Sequence, residues 1–419
     1  MVGTGPVLNP PSGGWLGLSR TDPYGLHTLP YGSFTTPDGA GARVGVAVGD
    51  RVLDLTAAAA QLLPDHAEAL ATGPLDGLLA AGPQAWRDVR RAVTDWLTDP
   101  RHRAVVEPLL LPAADVAVQL PFTVADYVDF YASEHHASNL GRMFRPGSEP
   151  LTPNWKHLPV GYHGRAGTVV VSGTPVVRPC GQWRTAEGHV VFGPSTRLDV
   201  EAELGFVVGT PSELGRPVGL DDFERHVFGV CVVNDWSARD VQAWEYVPLG
   251  PFLGKSFATS LSPWVVPLAA LAAARVAPPV RDPQPLPYLD DTGAQPWGLD
   301  VTLEVRLNGS VVSRPPFSAM YWTAPQMLAH LTANGASLRT GDLYASGTVS
   351  GPGVQERGAL VELTWNGRDP IRLADGTTRT FLDDGDEVVI SAVAPGPYGA
   401  RIGLGEVRGA VRPARPPAP

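Results

Sequence analysis

The chain reads as a mainly β protein with some helix, divided into two domains. Short apolar runs rich in β-branched residues recur between Gly/Pro turns along most of its length. Glycine (47 residues) and proline (43) make up about a fifth of the chain, a high turn content that falls short of the level marking disorder. A length of 419 residues exceeds what one ordinary core organises, so two domains are expected. The regular strand–helix alternation of a doubly wound sheet is not seen, which leaves an antiparallel or mixed sheet.

The first domain, residues 1–120, opens with short β-like runs over residues 14–55. Val44-Gly-Val-Ala-Val48 and Arg51-Val-Leu-Asp-Leu55 flank Gly49-Asp50, a hairpin pattern. Between about residues 57 and 98 the period lengthens. Trp86, Val89, Val93, Trp96 and Leu97 recur at helical spacing, and Thr98-Asp99-Pro100 ends the pattern. Residues 108–121, bounded by prolines, read as a linker or a covering strand.

The second domain, residues 121–419, is expected to hold strands at 167–172, 198–209, 227–234, 299–307, 359–365 and 387–392, with a helix around 324–333. Asn308-Gly309 reads as a hairpin turn, a better account than the glycosylation sequon it also matches. The Pro-rich tail from Arg412 is expected to be extended or flexible.

Charge and composition exclude several classes. A net charge of −10 offers nothing to offset phosphate repulsion, so no nucleic-acid partner is expected. No apolar run is long enough to span a bilayer, and Met1–Val7 carries no basic segment leading into an apolar one. A cytoplasmic protein is expected. Two cysteines, Cys180 and Cys231, are too few for a disulfide scaffold or a zinc site, and Cys231 sits in an apolar run that reads as a buried strand.

The chemistry concentrates in residues 235–256, where Trp236, Trp244 and Phe252 mix with Asp235, Arg239, Asp240, Glu245 and Lys255. Apolar bodies with a few fixed polar groups describe a pocket wall. In residues 197–206, strand alternation puts Asp199, Glu201 and Glu203 on one face. Three like charges there repel unless water or a cation neutralises them. A solvated outer face would account for that segment alone. Asp129, and Asp235 at the end of an apolar run, bring further carboxylates and raise an all-oxygen site suited to Ca²⁺ or Mg²⁺.

Glu134-His135-His136 follows closely. In an extended segment adjacent histidines point opposite ways, so at most one of the two is expected to face the site. No Gly-x-Ser-x-Gly elbow is present, which favours a histidine acting as general base on water. Gly250 to Ser256 resembles a phosphate loop only in outline, with three residues between glycines where four are required. Lys255 and Arg239 are then either cations facing developing charge or ordinary ones, Arg239 paired with Asp240. The small-residue loop Ala345-Ser-Gly-Thr-Val-Ser-Gly-Pro352 offers amides and hydroxyls to a carboxylate.

Several of these segments resemble the fumarylacetoacetase family: Asp129-Phe-Tyr131 with His136, Pro153-Asn-Trp-Lys-His-Leu-Pro-Val-Gly-Tyr-His-Gly-Arg165, Glu201-Ala-Glu203, residues 234–256 and 345–352, and Leu29-Pro-Tyr-Gly32 in the first domain. The resemblance runs from about residue 15 to 408. It implies an SH3-like N-terminal domain, a C-terminal mixed β-roll and a homodimer. It also implies a divalent cation, Ca²⁺ and/or Mg²⁺, on Asp129, Glu201, Glu203 and Asp235, and a neighbouring Mg²⁺-type site associated with Asp235, Lys255 and Thr259. His136 becomes the general base, oriented by Glu362. Arg239, Gln242 and Lys255 stabilise developing charge. Tyr131, Arg145, Tyr162, Gln242, Tyr246 and Thr348 grip a diketo dicarboxylate substrate. The implied reaction is hydrolysis of fumarylacetoacetate to fumarate and acetoacetate, a step of tyrosine and phenylalanine catabolism.

Related activities in the wider superfamily are acylpyruvate hydrolysis, β-keto-acid decarboxylation and enol-acid isomerisation. Those relatives resemble this chain less over Arg145, Tyr162 and the first domain. A non-catalytic metal-binding protein would not need His136, Glu362 and Lys255 together.

Overall fold

Tyr31–Thr35, Arg43–Val48 and Arg51–Asp54 form an antiparallel ribbon in which Val48 lies opposite Arg51. The two-residue turn between the last two strands needs a left-handed residue, and Gly49 supplies it with φ +59°. The computed structural model describes residues 14–39 and 41–415. The N-terminal segment Met1–Val7 and the last four residues of the Pro-rich tail lie outside the described residues.

The helical pattern of the first domain becomes Gly82–Thr98, which buries Ala85, Val89, Val93, Trp96 and Leu97 on one stripe. Leu55–Leu62 precedes it, capped by Asp54, whose carboxylate accepts from the Ala57 amide. Residues 108–121 are not a bare linker. Leu110–Pro112 pairs with Arg51–Asp54, and Ala117–Val118 pairs with Tyr31–Thr35.

The ribbon continues into the second domain. Tyr31 lies opposite Val265 and Gly32 opposite Trp264. A Cβ at Gly32 would stand 2.4 Å from the Pro263 carbonyl oxygen, so only glycine permits this approach. From Tyr31–Thr35 the sheet runs through Trp264–Pro267, Val227–Asp235, Ala202–Val208, Asp342–Ala345 and Asp126–Phe130 to Gly161–His163. It is mixed: Asp342–Ala345 runs parallel to Asp126–Phe130, while Ala202–Val208 is antiparallel to both its neighbours.

A second sheet holds Ser310–Ser313, Thr302–Leu307, Glu387–Pro395, Arg401–Arg412 and Val176–Val177. Val388, Ile390, Ala392 and Ala394 alternate inward along Glu387–Pro395. They join one core with Leu204, Phe206, Val230 and Val232 of the first sheet. Asn308 and Gly309, both at positive φ, make the expected hairpin turn. No helix among the described residues is long and apolar enough to cross a membrane.

Three expectations are corrected. Residues 359–365 form the short helix Leu360–Leu363 instead of a strand. The Leu360 and Val361 amides are captured by the Asp199 carboxylate at 2.7 and 3.1 Å, which takes them away from strand pairing. Residues 198–209 break into Leu198–Asp199 and Ala202–Val208, so Asp199 leaves the face shared by Glu201 and Glu203. Glu134-His135-His136 is not extended. Ser133 caps the helix Glu134–Phe144 by accepting from the His136 amide.

Candidate active site

Four buried carboxylates meet where three strands of the central sheet end. Asp129 comes from Asp126–Phe130, Glu203 and the preceding Glu201 from the start of Ala202–Val208, and Asp235 closes Val227–Asp235. One oxygen from each lies within 4.8 Å of the others. Among the described residues no hydrogen-bond partner reaches either oxygen of Glu203 or Oδ1 of Asp129. Burial first, then the charge of Asp235, pushes the Asp129 carboxyl well above the usual range. Burial, Asp129 and Glu201 do the same to Glu203. Buried, under-neutralised oxygen donors fit a hard divalent cation.

Lys255 lies beside this cluster. Its ammonium donates to Asp235 Oδ2 at 2.8 Å and to Glu201. Burial works to lower its pKa, but Asp235 and Glu201 outweigh burial and hold it above the ordinary value. The side chain therefore remains an ammonium with donors and no lone pair. Tyr162 and Thr259 complete the shell of Asp235, donating at 2.9 and 3.1 Å. For Glu201, burial is offset by Lys255, Arg239 and His136, which keep its carboxyl below the usual range.

Arg239 begins a short helix, Arg239–Glu245. Its Nη1 meets Glu201 at 2.7 Å and Gln242 at 3.2 Å, and its Nε donates to Asp199 at 2.8 Å. Nη2 is buried without a partner among the described residues. The alternative Arg239–Asp240 pair does not form, since Asp240 accepts instead from Ser195 and Thr196.

His136 occupies the first turn of its helix. Its Nδ1 lies 2.6 Å from Glu362 Oε2, and its Nε2 faces Glu201 Oε1 at 3.9 Å. Glu362 also accepts from Asn139 Nδ2 and Ser350 Oγ, both at 2.8 Å. Despite burial, His136, Asn139 and Ser350 hold its carboxyl below the usual range. An ionised Glu362 takes Nδ1–H and leaves the Nε2 lone pair free.

A cavity of about 560 Å³ collects most of the expected residues. Its wall includes Asp129, Tyr131, His136, Arg145, Tyr162, Glu201, Arg239, Gln242, Tyr246, Lys255 and Thr348; His135 is not in it. Glu362 stands behind His136. Asp235 and Thr259 line an adjoining cavity of about 300 Å³, which shares Tyr162 and Lys255 with the first. The loop after Ala345 reaches the wall because Gly347 (φ +74°) passes Phe130, where a Cβ would lie 2.1 Å from the carbonyl oxygen. Thr348 Oγ1 is buried there without a partner among the described residues.

Asn139, Ser350 and the contacts of Asp199 were missed by the sequence reading. Asn139 follows His136 by three positions, a same-face spacing that carries meaning only once the segment is known to be helical.

A buried histidine, two buried cations and two of the cluster carboxylates around one cavity can deprotonate water beside a carbonyl and absorb the charge that follows. Residues 27–121 match the family described as fumarylacetoacetase N-terminal, and residues 126–412 match fumarylacetoacetate (FAA) hydrolase C-terminal. The fumarylacetoacetase of Bos taurus is 44% identical over 413 residues, covering 95% of this chain and 98% of the relative. The chain belongs to the fumarylacetoacetase family. Within that family the Homo sapiens protein is 43% identical over 417 residues, with 96% and 99% covered. The Arabidopsis thaliana protein is 43% identical over 414, with 93% and 96% covered.

Among solved structures, a fumarylacetoacetate hydrolase from Exiguobacterium antarcticum superposes with a TM-score of 0.53 at 19% identity, over 92% of this chain and all of that one. A maleylpyruvate hydrolase from Sphingobium sp. SYK-6 gives 0.51 at 17%, again over 92% and 100%. These two share the fold of the fumarylacetoacetase family member described here.

Proposed function

We propose that this protein is a metal-dependent fumarylacetoacetase, hydrolysing fumarylacetoacetate to fumarate and acetoacetate in tyrosine and phenylalanine catabolism. The observation that carries the reading is the His136–Glu362 pair, whose imidazole shares a cavity wall with Asp129 and Glu201 of the four-carboxylate cluster. Identity of about 43–44% over nearly the full length of curated fumarylacetoacetases supports the substrate.

Asp129, Glu201, Glu203 and Asp235 would hold the cation, Ca²⁺ or Mg²⁺, with Thr259 and Asp235 serving the adjoining Mg²⁺-type site and Lys255 as its charged neighbour. A bound divalent cation supplies Lewis-acid polarisation of oxygen. His136 Nε2 takes a proton from water, and the water oxygen adds to the carbonyl next to the fumaryl group. Arg239 Nη2, Gln242 and Lys255 meet the oxyanion, an arrangement worth roughly 3–4 kcal/mol per preorganised donor. Collapse of the adduct re-forms the carbonyl and breaks the carbon–carbon bond. The electron pair leaves with the acetoacetate carbon, and the His136 imidazolium returns the proton. Glu362 holds the imidazole in the working tautomer throughout. Tyr131, Arg145, Tyr162, Gln242, Tyr246 and Thr348 grip the carboxylates and keto oxygens.

The reading includes a cytoplasmic homodimer and a domain division near residue 120. It is tested by following loss of fumarylacetoacetate absorbance with Ca²⁺ and Mg²⁺ varied, while fumarate is quantified. Metal-dependent loss with stoichiometric fumarate is expected. A folded sample inert with every metal would move the substrate to an acylpyruvate or another enol acid. Sedimentation at working concentration, expected to give twice the 44.3 kDa chain mass, checks the dimer.

A further inference from the structure

Asp199 is fully buried and ionisable, yet it takes no part in the four-carboxylate cluster. Its two oxygens serve two different pieces of the site. Oδ2 accepts from Arg239 Nε at 2.8 Å and from the Val361 amide at 3.1 Å. Oδ1 accepts from the Leu360 amide at 2.7 Å and from the Val200 amide at 2.8 Å.

The main chain places it there. Asp199 lies opposite Ser237 in the antiparallel pair of Leu198–Asp199 with Ser237–Ala238, and the Arg239 amide donates to the Arg197 carbonyl at 2.9 Å. Those contacts fix the Arg239 backbone and leave the direction of its side chain open. With Nε on Asp199 and Nη1 shared by Glu201 and Gln242, the nitrogen left without a partner among the described residues is Nη2. The same carboxylate holds the first two amides of Leu360–Leu363, the helix that carries Glu362 to His136.

We infer that Asp199 is a positioning residue that sets the Arg239 charge clamp and the Glu362–His136 base pair from one carboxylate. The inference rests on the hydrolase reading and adds to it a coupling between the group that accepts charge and the group that makes the nucleophile.

Asp199→Asn tests it with little change of volume. Whichever way the amide turns, its NH₂ faces two N–H donors that the carboxylate had accepted. Loss of a group that orients functional residues costs roughly 10–100-fold in activity, and here the loss is expected in kcat, with KM changed by less than about threefold. The rise in melting temperature on adding Ca²⁺ is expected to match wild type, because Asp199 is not one of the cluster ligands. In the double variant Asp199→Asn/Glu362→Gln the combined loss should fall short of the product of the single losses, as should Asp199→Asn/Arg239→Lys. A folded Asp199→Asn protein with wild-type kcat, or losses that multiply in both pairs, overturns the inference.

If the Asn variant does not fold, Asp199→Ala is assayed with formate, a carboxylate small enough for the vacated space. Recovery of kcat with rising formate supports the positioning role, and flat activity overturns it. Wild-type enzyme inert toward fumarylacetoacetate refutes the substrate instead. The same comparisons then run on whichever enol acid the wild type does turn over.

Discussion

Nδ1 of His136 lies 2.6 Å from Oε2 of Glu362, a contact between residues 226 positions apart in the chain. Because Asn139 and Ser350 hold the other sides of that carboxylate, the imidazole is fixed with Nε2 facing the cavity.

That relationship separates two losses. His136→Ala removes the proposed base and should lower kcat by roughly 10²–10⁴. Glu362→Gln leaves the imidazole but releases its tautomer and ring orientation, and a loss of roughly 10–100-fold is expected. Steady-state assays on the two variants check the order. His136→Ala at wild-type kcat would remove the histidine from the chemistry.

Lys255 supports an independent prediction about stability. Its ammonium is 6% exposed and contacts two carboxylates, Glu201 and Asp235. Lys255→Met preserves the stem, takes the ammonium from Asp235 and leaves Glu201 with Arg239 alone. Removing one partner of a buried pair costs about 3–5 kcal/mol. Denaturant unfolding with chelator present should show that loss, and excess Ca²⁺ should reduce it. A change below about 1 kcal/mol would mean that the carboxylates have other neutralisation.

The sequence made some parts of this site legible and hid others for physical reasons. Asp129, Glu201, Glu203 and Asp235 could be singled out because charged residues beside apolar strand runs are costly unless paired or liganded. The Gly82–Thr98 helix and the 49–50 hairpin follow from local periodicity and turn chemistry. Residues 359–365 misled because their apolar, β-branched content fits a strand, whereas the deciding interaction is the carboxylate of Asp199, about 160 residues away. Asp199 itself was placed with Glu201 and Glu203 by simple alternation, which ends where the strand breaks at Val200. For Arg239 the sequence left a local bridge to Asp240 open beside a role at the site, and long-range pairing with Asp199 and Glu201 excludes the bridge.

The two cysteines should react at different rates. Burial pushes the Cys231 thiol well above its ordinary pKa, inside the strand Val227–Asp235. Cys180 is half-buried. Since the thiolate is the reacting form, a thiol reagent should label one site per native chain quickly and both sites after unfolding. Equal rates at both in the native protein would show that the Val227–Asp235 strand opens readily.

Chelated protein should become less stable as pH rises, and the sign follows from Asp129 and Glu203. Burial and neighbouring charge raise both carboxyl pKa values in the folded state. A group so shifted binds its proton more tightly when folded. Its contribution is complete below the ordinary carboxylate pKa of about 4 and is lost as pH climbs toward the folded value. Glu201 and Glu362 are shifted the other way, so their contribution is lost only as pH falls below about 4. It is therefore constant between about pH 5 and 8. Burial also lowers the pKa values of His27 and His330, which add a pH dependence of their own. Comparing wild type with Glu203→Gln at each pH cancels their effect. With chelator, the wild type should lose stability relative to Glu203→Gln as pH rises from about 5 to 8. Added Ca²⁺ or Mg²⁺ should reverse that trend, because cation binding to deprotonated ligands strengthens with pH. Parallel curves for the two chelated proteins would mean that Glu203 is already ionised without a cation.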